Sequence, residues 1–180
     1  MKLLFGIFGY IISIPARAKG MKFGKNSFIA PGYDFLFEQL KNIRVGDNCL
    51  IGKNSWIHTV GSGQIFIGDN SQIGRRATIA ANKLVKIGAN CLLSYDISLL
   101  DHNHGFEELS ASPLKSKLTE GQDIIIEDDC FIGAHSFILK GVHLGKHCIV
   151  GANSVVTKSF PDFSIIAGNP AKIIRTITEN

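Results

Sequence analysis

Aliphatic residues recur at every sixth position over long stretches of this chain, with small and polar residues between them. The pattern reads Val45-Gly-Asp-Asn-Cys-Leu then Ile51-Gly-Lys-Asn-Ser-Trp, and resumes as Ile67-Gly-Asp-Asn-Ser-Gln then Ile73-Gly-Arg-Arg-Ala-Thr. It returns without a slip at Ile126, Ile132, Ile138, Leu144, Val150 and Val156. A helix would repeat at about 3.6 residues and a half-buried strand at about 2, so neither explains the spacing. The period predicts a solenoid of short strands and turns, with each aliphatic pointing inward and the next three residues turning a corner. Asn48, Asn54, Asn70, Asn90 and Asn153 stand at those corners, where a short amide side chain tolerates left-handed backbone.

Three hexapeptides make one triangular coil, because Ile126 and Leu144 are 18 residues apart, as are Cys130 and Cys148. Val45 to Ile67 spans 22 and Ile67 to Ile87 spans 20, which places small insertions near Ser62 and Lys83. Stacked coils would bond strand above strand and align the aliphatics into ladders. The expected fold is therefore all-β, a parallel β-helix of hexapeptide repeats occupying 41–160. An apolar segment and cap (1–40) precede it, and a C-terminal tail (161–180) leaves the prism as a short loop and a strand or helix. One long loop, 99–122, interrupts the rhythm.

Cys49, Cys91, Cys130 and Cys148 fill a repeat position that Ser55, Ser71, Ala77, Ser136 and Ser154 occupy elsewhere. A position restricted to small residues is an interior corner, and cysteine serves there as a small apolar side chain. No C-x-x-C spacing exists, so neither a disulfide framework nor a thiolate metal site is expected. Reduced, buried thiols fit a cytoplasmic protein. With 45% hydrophobic and 19% charged residues the chain reads as an ordinary folded domain. The net charge of +4 is mild and scattered, which argues against nucleic acid as a partner.

Leu3 to Ile14 is almost continuously apolar and is followed by Pro15, Arg17 and Lys19. A membrane-spanning helix needs roughly 20 such residues, so the segment is too short to span, and no convincing cleavage site marks a signal peptide. Two readings stay open. The segment packs on the end of the solenoid or on a neighbouring subunit, or it lies on a membrane surface, helped by Arg17, Lys19, Lys22 and Lys25.

The loop carries Asp101-His102-Asn103-His104 where it leaves the prism. A loop of this length in a tight repeat is seldom idle. Histidine titrates near neutrality and can take a proton from a hydroxyl and return it to a leaving thiolate. Asp101 would orient that ring or help hold an acceptor; His104 is either a second substrate contact or a plain loop residue. His135 and His147 take the corner place of asparagine, and His58 and His143 read as structural.

The hexapeptides, the Asp-His-Asn-His loop, the closing Val150-Gly-Ala-Asn-Ser-Val-Val-Thr-Lys158 and the tail Ala167-Gly-Asn-Pro-Ala-Lys-Ile-Ile-Arg175 resemble the left-handed β-helix acyltransferases. Within them the chain is similar to the acetyl-CoA-dependent sugar O-acetyltransferases that modify surface polysaccharides. The resemblance covers roughly 40 to 176 and supplies the left hand of the coil, against the usual right-handed rule for parallel crossovers. It implies acetyl-CoA as co-substrate, a sugar or lipid-linked saccharide as acceptor, no metal, and a homotrimer whose sites lie between subunits. His102 then corresponds to the general base, and the Ala134 N–H to the donor for the thioester oxygen. Phe131 stands where these enzymes commonly carry tryptophan. The pantetheine arm would pass Ala152 towards Thr157 and Lys158, with Lys172 and Arg175 at the nucleotide phosphates and Asn82 at the acceptor hydroxyl. Trp56 offers a sugar-stacking face, an exposed coil face or a subunit contact. Direct attack in a ternary complex is expected, without an acyl-enzyme. Other acceptors (an amine, serine or an antibiotic hydroxyl), a zinc hydrase on the same scaffold and a non-enzymatic solenoid remain as alternatives.

Overall fold

The computed structural model describes residues 2–32, 40–105, 112 and 114–178, with side chains from residue 7 onward. Within them the chain winds as the expected left-handed β-helix, and three parallel sheets form the faces of a triangular prism. Strand register matches the hexapeptide rhythm. On the first face Phe23, Val45, Ile67, Ile87, Ile126 and Leu144 lie directly above one another. The second face stacks Ile29, Ile51, Ile73, Leu93, Ile132, Val150 and Ile166. The third stacks Ile57, Ile79, Leu99, Ile138 and Val156. Most of these side chains are fully buried, and they form the core.

The corners behave as their residues dictate. Asn26, Asn48, Asn54, Asn70, Asn90 and Asn153 all have positive φ, and His135 and His147 take the same conformation at φ 58 and 53. Arg76, Asp96, Asp129 and Phe163 join them. One column of asparagines is also tied side chain to side chain, from Asn26 through Asn48 and Asn70 to Asn90 and then Asp129. The four cysteines are buried free thiols. Each donates to a carbonyl of the next coil, Cys49 to Gly68, Cys91 to Glu127, Cys130 to Gly145 and Cys148 to Pro161, at 3.1–3.2 Å. Ser27 and Ser71 make the same bond to Gly46 and Gly88, so the small-residue position is a column of inter-coil donors.

The stack begins ahead of residue 41: Lys22–Phe23 pairs with Arg44 and Val45, and Phe28–Ile29 with Leu50 and Ile51. The helix Lys2–Ala18 covers this open end. It docks through its small residues: Gly9, Ser13 and Ala16 are buried, and a Cβ at Gly9 would stand 2.5 Å from the Phe28 ring. Ser13 Oγ accepts the Ile29 N–H at 3.0 Å, an edge donor with no coil beneath it. At the other end the tail forms an antiparallel hairpin, Ser164–Gly168 with Ala171–Thr176, which extends the second face.

Candidate active site

Beyond the first coil the insertions leave one edge of the prism, between the third and first faces. There Trp56–Thr59 leads to Gln64–Ile67, Thr78–Ala81 to Leu84–Ile87, and Ser98–Leu100 to Ile124–Ile126. Leu99 belongs to the core, so the long loop starts at Asp101; its residues 106–111 and 113 lie outside the described residues. The widened corner at Asn82-Lys83 leaves three successive backbone N–H groups without strand partners, and such groups need an acceptor. Asp101 supplies it. Its carboxylate is fully buried and accepts from the N–H of Asn82 (2.7 Å), Lys83 (2.7 Å) and Leu84 (3.0 Å).

That carboxylate also fixes the next side chain. His102 Nδ1 lies 2.7 Å from Asp101 Oδ1, and its side chain is 11% exposed. An ionised carboxylate only accepts, so Nδ1 carries the proton and Nε2 is left with its lone pair. The neck of the loop holds this pair in place. Asn103 N donates to Thr119 Oγ1 at 2.9 Å, Thr119 N to Asn103 O at 2.8 Å and Gly105 N to Lys117 O at 2.9 Å. Asn82 Nδ2 donates to Thr119 O at 3.1 Å, so the amide proposed for an acceptor hydroxyl also braces the returning chain. His104 joins the neck through a backbone bridge to Leu118, with an exposed side chain.

A second histidine, read from the sequence as structural, stands near this centre. His58 is in register with Ala80, and Ala80 with Leu100, so it stands two coils below the start of the loop on the outer side of the third face. It is 7% exposed, and its ring centroid lies 4.0 Å from that of Trp56. Burial lowers its pKa, electrostatic repulsion between the two rings (His58 and His102) lowers it further, and Asp101 opposes both. The signal was present in the alternation Trp56-Ile57-His58 below the small pair Ala80-Ala81, but it requires the 22-residue register to be seen.

Most of the residues assigned to the donor fall elsewhere. Phe131 is 38% exposed on the outer side of the second face, in a column running Leu92, Phe131, Ile149, Ile165 and Arg175. Lys172 lies on the same terminal strand, exposed like Arg175. Ala134 and Ala152 turn the next corner, between the second and third faces, where Asn153 N donates to Ala134 O at 2.9 Å. The Ala134 N–H has no acceptor among the described residues. Thr157 and Lys158 return to the edge that carries His102, two coils beyond Leu100. A single protomer thus brings Asp101, His102, Asn82 and the loop neck together. It holds Phe131, Ala134 and Ala152 on another edge, across the width of the third face. His143, paired with Glu127 at 3.1 Å, and His147, stacked on Phe163, sit towards the first face and do not approach His102.

Comparison with known proteins agrees with this architecture. A family model described as the hexapeptide repeat of succinyl-transferase matches residues 42–63, 64–94 and 123–158. The putative lipopolysaccharide biosynthesis O-acetyl transferase WbbJ of Escherichia coli strain K12 is 34% identical over 141 residues, covering 74% of this chain and 71% of that protein. A 2,3,4,5-tetrahydropyridine-2,6-dicarboxylate N-acetyltransferase of Staphylococcus aureus is 39% identical over 97 residues, 54% of this chain but 33% of that protein. The chain therefore belongs to the hexapeptide-repeat acyltransferases. Among solved structures, a hexapeptide-repeat acetyltransferase of Vibrio cholerae O1 biovar eltor, complexed with acetyl coenzyme A, superposes with a TM-score of 0.58 at 25% identity, covering 91% of this chain and 75% of its own. The N-acyltransferase AntD of Bacillus cereus, in complex with dTDP and 3-hydroxybutyryl-CoA, reaches a TM-score of 0.76 at 20% identity over 92% and 88% of the two chains, a likeness of fold.

Proposed function

We propose that this protein transfers an acetyl group from acetyl-CoA to a sugar hydroxyl during surface polysaccharide biosynthesis, as O-antigen, capsule or exopolysaccharide. The observation that carries the reading is the Asp101–His102 pair: a buried carboxylate, itself pinned by three backbone N–H groups, engages Nδ1 of one imidazole and leaves Nε2 as the basic nitrogen. His102 Nε2 takes the acceptor hydroxyl proton as that oxygen bonds to the thioester carbon. The tetrahedral oxyanion meets the Ala134 N–H. It collapses with loss of the CoA thiolate, which takes the proton back from the imidazolium. No acyl-enzyme intervenes, because the cysteines are buried in the prism interior.

The separation of His102 from Ala134 on different edges supports a homotrimer. A cyclic arrangement sets one edge of each subunit against a different edge of its neighbour, so His102 of one protomer faces the donor corner of the next. The apolar column through Phe131 suits a pantetheine arm, and Lys158, Lys172 and Arg175 offer cations to the nucleotide phosphates. The likeness to an O-acetyl transferase of lipopolysaccharide biosynthesis favours a sugar hydroxyl over an amine, and a lipid-linked sugar would place the work at the inner face of the membrane. Thiol release from acetyl-CoA, followed over a panel of sugars, lipid-linked oligosaccharides and amines, tests the reading. His102→Ala should abolish release while the fold survives. Full activity in that variant, or turnover confined to amines, would overturn it.

A further inference from the structure

The N-terminal helix is docked the opposite way round from an ordinary surface helix, which buries its large apolar side chains and exposes its polar ones. Here Gly9, Ser13 and Ala16 meet the prism, while Ile7 (55%), Phe8 (65%), Tyr10 (56%), Ile11 (55%) and Ile14 (48%) are exposed on the opposite side. A continuous face of large apolar groups is left uncovered at the closed end of the stack. The charge beside it is mainly positive, with Asp47 of the next coil as the acidic residue at the cleft. Lys2, Arg17, Lys19, Lys22 and Lys25 are the only charged residues before Asp34, and Lys19, Lys22 and Lys25 are exposed around the helix end and the first coil.

A cleft of about 440 Å³ opens where the apolar face meets these cations, and Tyr10, Arg17, Phe23 and Lys25 help to line it. Arg17 is clamped there. Its guanidinium lies 4.8 Å from the Tyr10 ring centroid and 4.6 Å from that of Phe23, and Nη2 donates to Ser27 O at 3.0 Å. Its Nε is buried without a hydrogen-bond partner among the described residues.

We infer that this face is a docking surface for an anionic lipid bilayer: the helix lies in the plane of the interface, its apolar side among acyl chains and its cations among acidic head groups. No helix among the described residues is long and apolar enough to cross a membrane. At 17 residues, about 25 Å, this one has the length and facial contrast of a helix lying flat. A second copy of the chain would also cover apolar side chains. The rim carries Arg17, Lys19, Lys22 and Lys25 against Asp47, and such a cationic excess repels a copy of itself and is drawn to an acidic surface.

The test is co-sedimentation of the full chain with vesicles of phosphatidylglycerol and phosphatidylethanolamine, against vesicles of phosphatidylcholine alone. Binding should require the acidic lipid and weaken as salt is raised. Phe8→Ser with Ile11→Ser should cut binding by at least about tenfold, since each removes a large apolar group from the buried side. Lys19→Glu with Lys22→Glu should cost a further about fivefold or more for each charge. Neither pair touches the transfer machinery, so thiol release with a soluble acceptor should be unchanged, and vesicle binding is read independently of that activity. Three results would each overturn the inference: no binding to acidic vesicles, equal binding to phosphatidylcholine, or a fall in subunit number by light scattering in the Phe8→Ser, Ile11→Ser variant. The last would assign the face to a second copy.

Discussion

Asp101→Asn separates the two duties of the buried carboxylate. In the native arrangement Oδ1 accepts from Asn82 N and His102 Nδ1, while Oδ2 accepts from Lys83 N and Leu84 N. Asparagine offers one oxygen and one NH₂. If the NH₂ takes the Oδ2 place, the Lys83 and Leu84 N–H groups lose their acceptor and face another donor. An unsatisfied buried donor costs about 1–3 kcal/mol, so the pair would cost about 2–6 kcal/mol. If the NH₂ takes the Oδ1 place, only the Asn82 N–H is stranded, but Nδ1 must now accept. The proton moves to Nε2 and the base is lost, with a fall in kcat of about 10²–10⁴. The variant should therefore lose either stability or turnover. The first outcome appears as a drop in Tm of about 5 °C or more for a chain of this size; the second appears in thiol-release rates at saturating substrate. His102→Ala is the comparison, because it removes the base and leaves all three backbone bonds to Asp101 intact. An Asp101→Asn protein with native Tm and native kcat would refute the role given to this carboxylate.

His58 predicts an acid limb in the stability curve. Its folded pKa lies below the ordinary 6.5, so the unfolded chain takes up the proton first as pH falls. The stability from its neutral form is complete above about pH 6.5 and is lost below it, towards the folded pKa. Urea midpoints should show this decline, and His58→Gln should flatten it; an unchanged slope would contradict the assignment. Gly74→Ala should destabilise by about 1–3 kcal/mol, because its Cβ would stand 2.5 Å from the Ser94 carbonyl carbon of the next coil. The same substitution at Gly61 meets open space and bears only the strain of φ +57, so it should cost about 1–2 kcal/mol at most in the same denaturation series. Arg175→Ala should raise the KM for acetyl-CoA by about fivefold to tenfold with kcat nearly unchanged, if the guanidinium meets a phosphate. Steady-state kinetics with acetyl-CoA as the varied substrate decides it.

The prism was legible because its period is enforced by packing. One aliphatic in six must point inward, and a small residue must follow where the next coil's backbone approaches, so the strands and the cysteine column could be read from spacing alone. The first coil was harder to see. Phe23-Gly-Lys-Asn-Ser-Phe28 obeys the same rule, but an aromatic replaces the leading aliphatic and only one full unit precedes Ile29. The Asp101–His102 pairing could be suspected from adjacency, whereas the three backbone bonds to Asp101 depend on how the corner at Asn82 unfolds beneath the loop. His58 needed long-range register, since 44 residues separate it from His102. The docking side of the N-terminal helix was invisible for a simpler reason. A segment apolar on most sides has no obvious inner face until a small-residue stripe is seen to fit against Phe28.

Among the described residues, the departures from the 18-residue coil beyond Val45 emerge along a single seam of the prism. Faces and ladders elsewhere are bound by what lies above and below, so their composition is constrained throughout. The seam is not. A lineage could lengthen, shorten or exchange the chain between Asp101 and Gln122 without disturbing one interior aliphatic, provided the carboxylate keeps its three amides. Recognition of new acceptors can thus be acquired as an edit to one margin of an otherwise fixed scaffold, and grafting that margin between relatives is a practical route to altered acceptor selectivity.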